Sequence, residues 1–245
     1  MKKQRHIIIF LFVLIPIATY GQESNKAIRF SINAGMTYSN TIGKGIVEDS
    51  WINGYPPDCY TNSSAGDDFI FGKKFGIGLI KDLNKTFSIG LDLNYEEKGC
   101  KIPITHLSYL INSNGSYELV QQEVDEKSNI KLKYLVLPFK LETRFKMFYL
   151  QYGIYGGILL DADDYGEIDG IDFERDKDGR YSLLDLGVLV GLGTRIPLSD
   201  KNIVKIGVNG NWNITGNETR GMIPGYKYHW YNQSFNFEIK FERKI

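Results

Sequence analysis

A chain of 245 residues has room for one large β domain or two small ones. Its 29 Lys+Arg balance 29 Asp+Glu, so it lacks the basic field that a nucleic-acid partner would require. With three histidines and two cysteines and no pair of them at ligand spacing, no metal centre and no cofactor is expected.

The chain opens Met1-Lys2-Lys3-Gln4-Arg5, continues as an apolar run from Ile7 to Ala18, and reaches Thr19-Tyr20-Gly21-Gln22. A basic head, a short apolar stretch and small residues near its end describe a secretory signal peptide. The run is shorter than the ~20 apolar residues of a spanning helix. Residues 1–21 are therefore assigned to the signal, with cleavage between Gly21 and Gln22, Sec export and a mature domain of residues 22–245. No cysteine stands at the cut, so a lipoprotein anchor is not expected. Charges or glycines interrupt every later apolar stretch, which excludes a helical membrane protein but not a barrel, whose strands show lipid only every second residue.

Period-two alternation then recurs along the chain. Ile28, Phe30, Ile32, Ala34, Met36 and Tyr38 share one face of the first segment, against Arg29, Ser31, Asn33, Gly35 and Thr37. The second, near 69–83, sets Phe71, Phe75, Ile77 and Leu79 against Lys74, Gly76 and Gly78. The third, Phe87 to Glu96, alternates almost without error. The fourth, 130–145, places Ile130, Leu132, Tyr134 and Val136 on one face but Phe139, Leu141 and Phe145 on the other, which predicts a bulge at Pro138. Four further segments follow, near 148–160, 184–196, 204–214 and 235–242.

The connections alternate long and short. The long ones are 40–68, 99–128, 161–181 and 216–232, and the short ones are 84–85, 146–147 and 199–202. Short periplasmic turns and longer external loops are the pattern of an outer-membrane barrel. A single eight-stranded, antiparallel up-and-down transmembrane β-barrel follows, with outer-membrane lipid around it. Its polar faces would put Arg29, Lys74, Lys131, Lys133, Lys140, Arg144, Arg195, Lys205 and Lys240 inside, with Asp92, Glu96, Glu142, Asp185, Glu238 and Glu242. An eight-stranded interior is wide enough only for side chains, so a packed lumen of ion pairs is expected. Tyr38, Tyr95 and Trp212 near one end, with Phe87, Phe145, Phe148 and Phe241 near the other, give two aromatic levels.

Cys59 and Cys100 form a possible disulfide in an oxidising compartment. The acidic stretch 161–178 contains Glu174, Asp176 and Asp178, followed by Asp185, at a spacing close to a calcium loop. Glu at its first position and Asp at its last depart from that pattern, and a solvated loop is the favoured reading. His6, His106 and His229 lie far apart, and no Gly-x-Ser-x-Gly elbow surrounds a serine, so no enzyme is expected. Trp51, Tyr55 and Tyr60, with Tyr226, Tyr228, Trp230 and Tyr231, form the candidate contact surface of the external loops.

Tyr134-Leu135-Val136-Leu137-Pro138 running into Leu141-Glu142-Thr143-Arg144-Phe145 resembles the outer-membrane β-barrel family of Bacteroidota that includes the PorT-like proteins. Tyr152-Gly153-Ile154-Tyr155-Gly156-Gly157 and Asp185-Leu186-Gly187 through Gly193 extend the resemblance. It implies an outer-membrane location and no particular activity. The last residues, Phe241-Glu242-Arg243-Lys244-Ile245, lack the terminal aromatic typical of barrel-assembly signals. The expected role is a non-enzymatic, monomeric surface barrel whose loops meet a protein or envelope ligand. Two alternatives are a soluble lipocalin-like carrier, with its apolar faces inward, and a lipid-modifying outer-membrane enzyme with a polar cluster at the rim.

Overall fold

The computed structural model describes residues 27–44, 50–52, 59–63, 68–113, 116–168, 170–174, 181–215, 217–220 and 227–245. The signal segment lies outside them. Twelve strands are present: β1 (Ile28–Lys44), β2 (Ser50–Ile52), β3 (Cys59–Ser63), β4 (Ile70–Asp82), β5 (Phe87–Ser113), β6 (Ser116–Phe145), β7 (Phe148–Ile168), β8 (Ile171–Glu174), β9 (Leu184–Pro197), β10 (Asn202–Asn213), β11 (Asn217–Arg220) and β12 (Lys227–Lys244). Eight of them, β1, β4, β5, β6, β7, β9, β10 and β12, pair antiparallel in sequence order. The ring closes where β12 meets β1. β2 and β3 form a hairpin on the upper part of β5, and β8 and β11 lie along β7 and β12.

The register fixes the shape. Paired residues lead from Phe30 through Leu79, Leu91, Phe139, Ile154, Val188, Trp212 and Gln233 back to β1 at Asn40, ten residues above the start. A shift of ten residues over eight strands, at ~3.3 Å per residue and ~4.8 Å between strands, tilts the strands by about 40°. On β6, outward apolar residues run from Phe145 to Leu135. That is about 33 Å of strand, or about 25 Å of height at this tilt, the thickness of a barrel's lipid-facing band. Ile32, Phe75, Leu137, Ile154, Leu192 and Ile239 are among the exposed side chains of that band. A lipocalin-like carrier would need them inside.

The short turns carry their own chemistry. Asn84 Oδ1 accepts from the Thr86 and Phe87 amides at 2.8 and 2.7 Å, closing β4 to β5. Lys146 takes a positive φ of 55° between Phe145 and Phe148, which lets a two-residue turn match the strands' twist. Ser199 Oγ accepts from Asn202 N at 3.1 Å in the third.

The upper side departs from the expected loops. Residues 99–113 and 116–128 are a paired extension of β5 and β6 that reaches Ser113↔Ser116. β7 likewise runs on to Ile168, and β12 begins at Lys227. Polar alternation over these stretches lacks the apolar contrast of a lipid-facing strand, so it read as loop.

The bulge predicted at Pro138 is absent. Leu91↔Phe139 and Asn94↔Val136 keep one register, and Val136, Pro138 and Lys140 all point inward. What changes is the surroundings. Below Val136 the inward residues of β6 are Lys140, Glu142 and Arg144, whereas above Pro138 they are Val136, Tyr134, Leu132 and Ile130. Lys131 and Lys133, expected inside, therefore point outward. The nearby bulge lies on β7 at Leu160, between Lys133↔Asp161 and Tyr134↔Leu159.

Candidate functional site

The lower lumen is a continuous ladder of paired charges. At its base Asp82 accepts from Arg29 at 2.7 Å and from Arg144 at 2.5 Å. Arg29 reaches Glu242 at 2.9 Å, and Lys205 joins Glu242 to Glu142 at 2.6 Å each. One level up, Asp92 lies 2.5 Å from Lys140 and 2.7 Å from Lys240. Lys74 bridges Glu238 and Glu96 at 3.1 and 3.2 Å, and Lys98 links Glu96 to Asp185 at 3.5 and 2.9 Å. Almost all these side chains are buried, so each charge survives only through its partners. Arg195, half-buried at the same lower mouth, has no carboxylate partner among the described residues.

Two members of the ladder escaped the sequence reading. Lys98 continues the even-numbered inward row of Asp92, Asn94 and Glu96, and Asp82 continues that of Gly78 and Ile80. Following each even-numbered row to its end, Asp82 within the second segment and Lys98 just past the third, finds both. Inward glycines make room for lumen side chains: a side chain at Gly193 or Gly207 would collide with Tyr149, one at Gly187 with Tyr155, and one at Gly78 with Asp92.

The ladder ends under an apolar cap. Lys98 Nζ sits 4.6 Å from the Tyr155 ring centre and 5.6 Å from that of Tyr134. Asp185 also accepts from Tyr155 Oη at 3.3 Å and from the Asn213 amide. This fixes Asp185 in the lumen, so it does not serve the calcium-like spacing; Asp176 and Asp178 lie outside the described residues. Above it Cys100, Ile102, Ile130, Leu132, Tyr134, Val136, Ala162 and Leu189 pack together inside the wall of β5, β6 and β7. A cavity of about 10 Å³ between Lys74, Glu96, Pro138 and Asn209 has the room of roughly one water. Among the described residues no cluster of His, Cys, Asp and Glu could hold a metal ion.

The outer face of the wall is charged. Lys133 lies 2.7 Å from Asp161 and 2.8 Å from Asp163, and this pair of carboxylates raises its pKa. Lys127 pairs with Asp68 at 2.8 Å, which lowers the Asp68 carboxyl and raises the lysine. Among the described residues β6 meets β7 only from Ser128↔Gly166 downward, while above this point it continues beside β5 alone. At that fork lies a groove of about 460 Å³ lined by Asp125, Glu126, Lys127, Asn129, Tyr165, Glu167 and Asp172.

The sequence candidates fall in separate places. Cys100 is buried in the apolar cap, whereas the register sets Cys59 opposite Tyr109, nine residues farther along β5. Nine residues span about 30 Å of strand, and a disulfide needs Cα atoms within ~7 Å, so this register does not bring the pair together. Trp51 pairs with Tyr60 on the β2–β3 hairpin. Tyr228, Trp230 and Tyr231 lie on β12, opposite Thr219, Asn217 and Ile42. Sheet pairing thus sets one aromatic group on the β2–β3 hairpin beside β5 and the other on β12. Tyr55 and Tyr226 lie outside the described residues. Of the two aromatic levels, Tyr38 stacks on Phe69 at 4.4 Å and Phe145 and Phe148 are exposed, while Phe87 is buried.

Residues 20–217 match the model of the outer membrane protein beta-barrel domain family. The chain belongs to that family. Solved structures similar to this chain include Neisserial surface protein A, at 9% identity, TM-score 0.40, covering 88% of this chain and 97% of that one. The outer membrane protein OprG from Pseudomonas aeruginosa gives 13% identity and a TM-score of 0.41 over 90% and 97%. The outer membrane protease OmpT from Escherichia coli gives 10% and 0.36 over 92% and 100%. Similarity this low accompanies a shared architecture and carries no activity across. Among curated proteins none matches the chain.

Proposed function

We propose that this outer-membrane barrel is a closed, non-enzymatic anchor that holds a tall β wall at the cell surface for contact with a protein or envelope partner. The observation that carries the reading is the continuation of β5 and β6 as one paired hairpin past the lipid band, above a lumen filled by side chains. From Glu96 to Ser113 the hairpin adds about 55 Å of strand, far more than spanning requires. Sec export through residues 1–21, a monomeric state and a place in the PorT-like branch of Bacteroidota barrels belong to the same proposal. The Tyr134–Phe145 segment supports the last of these.

The test is reconstitution of the mature protein in a planar bilayer, with phospholipid and lipopolysaccharide as candidate substrates in a parallel activity assay. No steady conductance and no lipid product are expected. A stable open channel, or turnover abolished by a single rim substitution, would overturn the closed-anchor reading.

A further inference from the structure

The upper part of β6 is an edge strand. Residues 116–123 and 126–127, flanking a bulge at Val124–Asp125, pair with β5 on one side, β7 joins only at Ser128, and among the described residues no strand occupies the other side. β3 pairs with β5 from Ile104 to Tyr109, so over the facing part of β6 the far side of the hairpin is occupied and, among the described residues, the β6 side stays open. An open edge presents alternate backbone N–H and C=O groups, and an extended peptide completes them by joining the sheet. Gln121, Gln122, Glu123 and Asp125 are exposed along it.

Charge selects the occupant. Glu118, Glu123, Asp125 and Glu126 lie on this strand, and Glu167 and Asp172 face it across the groove at the fork. Among the described residues Lys127 is the one cation lining that groove, and it is already engaged by Asp68 at 2.8 Å. A second copy of the chain would bring the same carboxylates against themselves, which like-charge repulsion disfavours. We propose that β6 binds an extended, basic peptide segment of another protein, added as a strand along residues 116–127 with its lysines or arginines toward Glu123, Asp125, Glu126 and the mouth of the groove. This rests on the surface-display reading above and names its partner's chemistry.

The test uses the full mature protein in detergent and three labelled peptides followed by fluorescence anisotropy. They are an alternating lysine–valine decapeptide, its glutamate–valine counterpart, and the lysine–valine peptide N-methylated at every second residue. The first should bind at least about tenfold more tightly than either other, a difference of ~1.4 kcal/mol. The E123Q/D125N/E126Q variant should lose a similar factor while keeping its heat-dependent gel mobility. Equal binding of the N-methylated and unmodified basic peptides would overturn strand addition. Absence of binding, or full binding by the variant, would overturn the site. Conductance of the same preparation reports the closed lumen separately, so a failure of this inference is distinguishable from a failure of the anchor reading.

Discussion

Along β6 the lower barrel and the wall above it use one unbroken alternation with opposite meaning. In the lower barrel Leu135, Leu137 and Phe139 of β6 face out and Lys140, Glu142 and Arg144 face in. In the wall Lys131 and Lys133 face out and Ile130, Leu132 and Tyr134 face in. The backbone phase does not change, but the medium outside it does. Lipid below selects apolar outward residues and leaves the interior to charges that satisfy one another; water above selects charged outward residues and leaves the interior to an ordinary apolar core. The reversal point, near Val136 on β6 and the Leu160 bulge on β7, marks the upper edge of the membrane.

The largest effect that can break this contrast is in the ladder. Asp92→Asn strips Lys140 and Lys240 of their shared carboxylate and should destabilise the barrel by about 3–5 kcal/mol in reversible denaturant unfolding. Next, Phe139→Arg on the lipid face should cost ~2–4 kcal/mol, the price of a cation near mid-membrane. Lys131→Leu, higher on the same face of β6, should leave stability nearly unchanged. If both substitutions behaved alike, the membrane edge would not lie between them. Leu132→Ala inside the wall should cost about 2–5 kcal/mol by opening an apolar cavity, measured by the same unfolding.

The smallest expected effect is at the exposed Asp68–Lys127 pair. Because the Asp68 carboxyl is lowered in the folded chain, its contribution is present above the ordinary carboxylate range and is lost as pH falls through the depressed value. Amide exchange near Lys101, whose N–H bonds to Asp68 O at 2.9 Å, should quicken slightly at acid pH and stay flat between pH 5 and 8.

Much of the lower barrel was legible because each strand there separates apolar from polar by residue parity alone. Ile28 to Tyr38 and Phe87 to Glu96 give faces, order and turns directly, and the turns at 84–85, 146–147 and 199–202 followed from them. The wall was not legible. Its stretches 99–113 and 116–128 mix charged, amide and apolar residues on both faces, since pairing partners and not lipid hold them extended. The switch at Pro138 read as a bulge because parity cannot distinguish a flipped strand from a changed solvent. Asp185 suited a calcium spacing by number, and only Lys98 and Tyr155, 87 and 30 residues away, reveal its place in the lumen. The aromatic candidates depended on loop geometry that parity does not address.

The most direct test of the reversal is a tryptophan scan of β6, one position at a time from 130 to 141, in vesicles carrying brominated lipid or aqueous iodide. The account predicts lipid quenching at positions 135, 137 and 139, iodide quenching at 131 and 133, and shielding from both at 130, 132 and 134. Lipid quenching at 130, 132 and 134 would mean that β6 flips at Pro138, and would contradict it.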